Sequence, residues 1–86
     1  MKKAMKINND TAYMLTVTSV RYGLNSYKTY VVAEICHWVR QVWSILRLGQ
    51  QAVIIEDIQA SLRQDARLPS TENEWKNLLL FCMAEE

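Results

Sequence analysis

Cys36, His37 and Ser44 are the residue types in this chain that could perform nucleophilic chemistry, a thiol or hydroxyl activated by an imidazole. Their spacing opposes it, because neighbours on a helix point about 100° apart and His37 falls in the polar half of the helix that would carry it. General acid–base work by two carboxylates needs acids brought together across a cleft. The adjacent pairs are Glu56 with Asp57 and Glu85 with Glu86, and both read as helix-terminal or solvated charges. Two cysteines and one histidine, with no CxxC or HxxxH spacing, do not make a zinc site. Gly23 and Gly49 stand alone, so there is no glycine-rich phosphate loop. The expectation is a non-enzymatic chain with no catalytic, metal or cofactor-binding residues.

The element that would position these groups is the run Val31 to Leu48, VVAEICHWVRQVWSILRL. At 100° per residue it places Val31, Val32, Ile35, Cys36, Trp38, Val39, Val42, Trp43, Ile45 and Leu46 on one half of a helical wheel. Glu34, His37, Arg40, Gln41, Ser44 and Arg47 occupy the other half. An apolar arc of roughly 180° is wider than a surface helix needs, so this helix should be covered from two sides. Arg47 followed by Gly49 fits a helix C-terminus, a cation at the negative end of the dipole and a residue that accepts positive φ.

Before this helix, residues 1–10 form a basic, polar lead-in to one small domain spanning 11–86. TAYMLTVTSVRY, from Thr11 to Tyr22, is rich in β-branched and aromatic residues and alternates, with a change of parity near Thr18 that a bulge would absorb. Gly23 to Ser26 supplies a turn, and YKTYVV from Tyr27 to Val32 the returning strand, although Val31 and Val32 also fit the first turn of the central helix. Ala52 to Ile55 reads as a short strand or extended segment, Glu56 to Ala66 as a helix. Thr71 with Glu74 makes a capping box for a final helix from Glu72 to Met83. The expected fold is therefore α+β: an N-terminal antiparallel hairpin on a long central helix, then a short strand and two shorter helices.

Charge is divided along the chain. Seven cations against two acids give residues 1–49 a net +5, whereas three against seven give residues 50–86 a net −4, for +1 in total. The N-terminus has no apolar core of a secretory signal, and the apolar run Leu78 to Ala84 is far shorter than a membrane span. Cytoplasmic location and buried, reduced cysteines are expected, with no membrane partner.

A surplus of large apolar side chains, three tryptophans, and arginines beside Trp43 point to protein recognition. The candidate partner-binding residues are Glu34, His37, Arg40, Trp43, Arg47, Leu80 and Phe81, and the partner a larger protein or protein complex. A second copy of this chain, docked through Leu80, Phe81 and Met83, is a further candidate. The runner-up is a helix-turn-helix DNA-binding regulator built from residues 56–83. It ranks second because its recognition helix would open with Glu72 and Glu74, and phosphates repel acids. In size and lack of chemistry the chain resembles the small accessory proteins of phages and plasmids that bind and inhibit larger host machinery, defence systems included. That likeness rests on no motif.

Overall fold

The computed structural model describes residues 7–84. It consists of four α-helices, α1 (Asn9–Leu24), α2 (Thr29–Val42), α3 (Leu48–Gln64) and α4 (Pro69–Ala84), with a 3₁₀ turn, Trp43–Ile45, after α2. There is no strand among the described residues, so the α+β expectation is overturned. Most of the expected lead-in, residues 1–6, lies outside the described residues. Of the remainder, Ile7 packs on the core and Asn8 caps α1, its side-chain carbonyl accepting from Thr11 N–H at 2.8 Å.

The segment expected to be a hairpin is α1 and the start of α2. The residues of α1 that are buried, Ala12, Thr16, Val20 and Gly23, step by four, four and three, which is a helical stripe. The change of parity near Thr18 is that stripe passing through a β-branched sequence, and no bulge forms. Thr16 is kept in the helix by its own hydroxyl, which donates to the Ala12 carbonyl at 2.7 Å and accepts from the Trp38 indole at 3.2 Å. The expected turn at Gly23 is the last turn of α1, where the missing side chain lets Ile35 and Trp75 close in. Tyr27 and Lys28 belong to the connection, and Val31 and Val32 lie in α2.

The central helix is shorter than expected. It ends at Val42, tightens into the 3₁₀ turn and leaves helical geometry at Leu46. Side chains from distant elements cap the break: Gln51 Nε2 donates to the Trp43 carbonyl at 2.9 Å, and Asn9 Nδ2 to the Ile45 carbonyl at 2.9 Å. Arg47 and Gly49 therefore do not end a helix. Arg47 is the N-cap of α3, its backbone N–H held by Gln50 Oε1 at 2.9 Å, and Gly49 is the second residue inside α3. The stretch Ala52 to Ile55 is likewise helical, with Gln51, Ile54, Ile55 and Ile58 facing inward. In α4, Pro69 takes the first helical position, where its absent N–H costs nothing. The Thr71–Glu74 capping box does not form, because Thr71 is inside α4 and buried, with its hydroxyl donating to the Leu68 carbonyl at 3.0 Å.

Each helix packs chiefly on two others, α1 on α2 and α3, and α4 on α2 and α3. One cluster of buried side chains joins them, including Val20, Val32, Val39, Ile54, Ile58, Trp75 and Leu78. The broad apolar arc of α2 is explained by its two neighbours, α1 and α4. This leaves one strip of α2 uncovered.

Candidate functional site

The uncovered strip is Tyr30, Glu34, His37 and Gln41, continued by Ser44 of the 3₁₀ turn; these are spaced by four, three, four and three residues and are all exposed. Near its N-terminal end it borders an open groove of about 610 Å³ between α1 and α2, lined by Thr18, Ser19, Tyr22, Tyr30, Val31, Glu34 and Ile35. A second hollow of about 450 Å³ shares Tyr22, Tyr30 and Val31 and adds Tyr27 and Lys28. Tyr22, Tyr27 and Tyr30 are 67%, 71% and 68% exposed, so three tyrosines surround the α1–α2 connection with most of their surface in solvent.

At the other end the strip meets a smaller pocket of about 270 Å³, formed by Arg40, Trp43, Ser44, Gln51 and Phe81. The Arg40 guanidinium lies 5.9 Å from the centroid of the Phe81 ring, a cation–π contact between α2 and α4. No carboxylate is within ion-pair distance of Arg40 among the described residues. Trp43 is 2% exposed, and its indole N–H has no acceptor.

Packing brings Arg40, Trp43 and Phe81 together, and places Glu34 in the tyrosine groove and His37 on the strip between. Arg47 is engaged elsewhere. Its guanidinium donates to Asn9 Oδ1 at 2.8 Å and lies 3.9 Å from Asp10, within a polar knot of α1, the 3₁₀ turn and α3 that Gln50 completes. Leu80 is exposed, whereas Phe81 is half-buried. Tyr22, Tyr27 and Tyr30 are the surface residues that sequence reasoning did not single out, since a hairpin reading spreads them along two strands. Three tyrosines within nine residues around a short connection were the available signal.

Cys36 is buried in α2, its thiol donating to the Glu74 carbonyl at 3.8 Å. Burial pushes it up from 9.0 to about 12, with Arg40 pulling it down and Glu74 adding to the rise. It is a poor nucleophile in this state, and His37 faces solvent on another side of the helix. Cys36 and Cys82 are both buried and not joined in a disulfide. Among the described residues, no group of three or more His, Cys, Asp or Glu could hold a metal ion, and no helix is long and apolar enough to cross a membrane.

The chain matches no known family. No curated protein and no solved structure matches it either.

Proposed function

We propose that this chain is a small non-enzymatic protein-interaction domain of the cytoplasm that binds and inhibits a larger protein or nucleoprotein complex of its host, a defence system being one such target. The observation that carries the reading is the continuous exposed strip of α2, with a tyrosine groove at one end and the Arg40–Trp43–Phe81 pocket at the other. Tyrosine, tryptophan and arginine are enriched among the residues that supply most of the energy in protein interfaces, and tyrosine buries much area while losing few rotamers. Exposed tyrosines facing a groove are therefore in the arrangement that a protein partner uses. Buried cysteines without a disulfide suit a reducing compartment.

Phosphate binding by the helix-turn-helix alternative would need free cations on its second helix. The second helix of the helix-turn-helix alternative, α4, has Lys76 already paired with Glu72 at 3.0 Å, and Glu74 lies one turn from its start. Affinity capture from a bacterial lysate, beside retardation of duplex DNA, separates the two readings. Recovery of a defined complex with no DNA retardation supports the proposal. Retardation that weakens steeply with salt and disappears on charge reversal of Arg40 and Arg47 would replace it with a DNA-binding regulator.

A further inference from the structure

We infer that the pocket at the C-terminal end of the α2 strip receives an aspartate or glutamate side chain of a protein partner. The inference rests on the protein-binding reading above for its occupant, and on three features of the pocket for its chemistry. The first is Arg40, which like the exposed Lys28 and Arg63 has no carboxylate within ion-pair distance among the described residues, but unlike them is half-buried. The second is its cation–π contact with Phe81, 5.9 Å from the guanidinium carbon to the ring centroid, which holds the side chain at the pocket. An arginine held in this way keeps its N–H edge for an acceptor, and a carboxylate matches that edge with two parallel hydrogen bonds.

The third feature is the indole of Trp43, which lines the pocket and has a buried N–H with no acceptor. A buried donor left unpaired is costly, and it recovers that cost when an acceptor arrives. Trp75 also has an unpaired N–H, but its ring is enclosed against Gly23 in the core. Trp43, with its unpaired donor, instead lines an open pocket together with an unpaired cation. Both call for the same ligand, a small anion that accepts hydrogen bonds.

Size and surroundings favour a carboxylate on a protein side chain over a nucleic-acid phosphate. A volume of about 270 Å³ takes a carboxylate with its methylene stem against Phe81. Tracking a phosphate backbone takes several cations, and Arg40 is the single one that lines this pocket.

The test is an NMR titration of the isotope-labelled full chain with sodium acetate, the carboxylate and first methylene carbon of an aspartate side chain, at constant ionic strength set with chloride. The three indole N–H signals report separately, and Trp43→Phe identifies the one from Trp43. The expected result is a saturable shift of the Trp43 signal, with half-saturation moved to about tenfold higher acetate in Arg40→Gln. Phosphate at matched ionic strength should shift it less. Absence of a saturable shift overturns the inference, as does an acetate response that Arg40→Gln leaves unchanged. An equal or stronger response to phosphate also overturns it and points to a nucleic-acid ligand. Because the titration needs no partner, its failure removes this pocket's assignment alone, whereas failure of lysate capture removes the protein-binding reading.

Discussion

Replacing each glycine by alanine should move stability in opposite directions, and the structure sets the size of each change. At Gly23, a Cβ would sit 2.8 Å from Ile35 Cδ1 and 3.0 and 3.2 Å from two ring carbons of Trp75. Carbon atoms in good contact are about 3.5–4.0 Å apart, so all three approaches are repulsive. The Ile35 methyl ends a flexible side chain and can move aside. Trp75 is fully buried and rigid, so part of the overlap must be absorbed by separating α1 from α4. Overpacking of this kind costs about 1–3 kcal/mol. Gly23 lies in the last turn of α1, where alanine recovers about 0.5 kcal/mol of helix propensity over glycine, leaving a net loss of about 0.5–2.5 kcal/mol, the upper end if Trp75 cannot shift. At Gly49, nothing lies within 4 Å of the added carbon and φ is not positive, so only the propensity gain remains. Near a helix start that gain is about 0.5 kcal/mol. Urea denaturation at neutral pH measures both, with an unchanged slope showing that only stability has moved. Destabilisation by Gly49→Ala, the expected behaviour of a positive-φ helix terminus, or a Gly23→Ala variant as stable as Gly49→Ala, would contradict these packing contacts.

Other side chains give independent checks. Thr16→Val keeps the shape but removes the acceptor of the Trp38 indole, and should cost about 1–2 kcal/mol with a change in tryptophan emission; Thr16→Ser should keep the emission. Arg67, whose side chain is 5% exposed, donates to the Leu24 carbonyl at 2.7 Å and to the Ser61 hydroxyl, and lies 3.5 Å from Asp65, so Arg67→Met should cost about 2–3 kcal/mol by urea denaturation. The Cys36 thiol stays protonated in the folded chain up to about 12 but ionises near 9.0 when unfolded, so its contribution is complete below pH 9 and is lost as pH rises towards 12. The stability difference between wild type and Cys36→Ala should shrink by about 2 kcal/mol between pH 8.5 and 10.5; a flat difference across that range contradicts the assigned burial effect.

Parts of this architecture are legible in the sequence, and the failures have physical causes. The width of the α2 apolar arc is visible because it is a local repeat, and it correctly demands cover on two sides. α1 is misread because Thr16, Val17, Thr18 and Val20 are β-branched, and that local preference is overridden by the packing of Ala12, Thr16, Val20 and Gly23 against the rest of the core. The end of α2 is hidden because Val42, Trp43, Ile45 and Leu46 continue a helical apolar pattern, while the groups that cap the break, Asn9 and Gln51, lie far away in sequence. At the surface, residue type is enough to mark Arg40, Trp43 and Phe81. Their convergence depends on how α4 lies on α2, and the engagement of Arg47 by Asn9 depends on the contact of α1 with α3. The tyrosine groove needs α1 to be a helix before Tyr22 and Tyr30 can share it.

The central claim is that the exposed strip of α2 and its tyrosine groove form the partner-binding surface. It is tested most directly by comparing affinity capture with the wild-type chain and with Tyr22→Ala/Tyr30→Ala, two exposed positions outside the core. Loss of a defined captured complex, at least about a hundredfold in affinity for two interface tyrosines, with an unchanged helical spectrum and melting temperature, is the predicted result. Capture of the same complex with undiminished affinity by the double variant would contradict it.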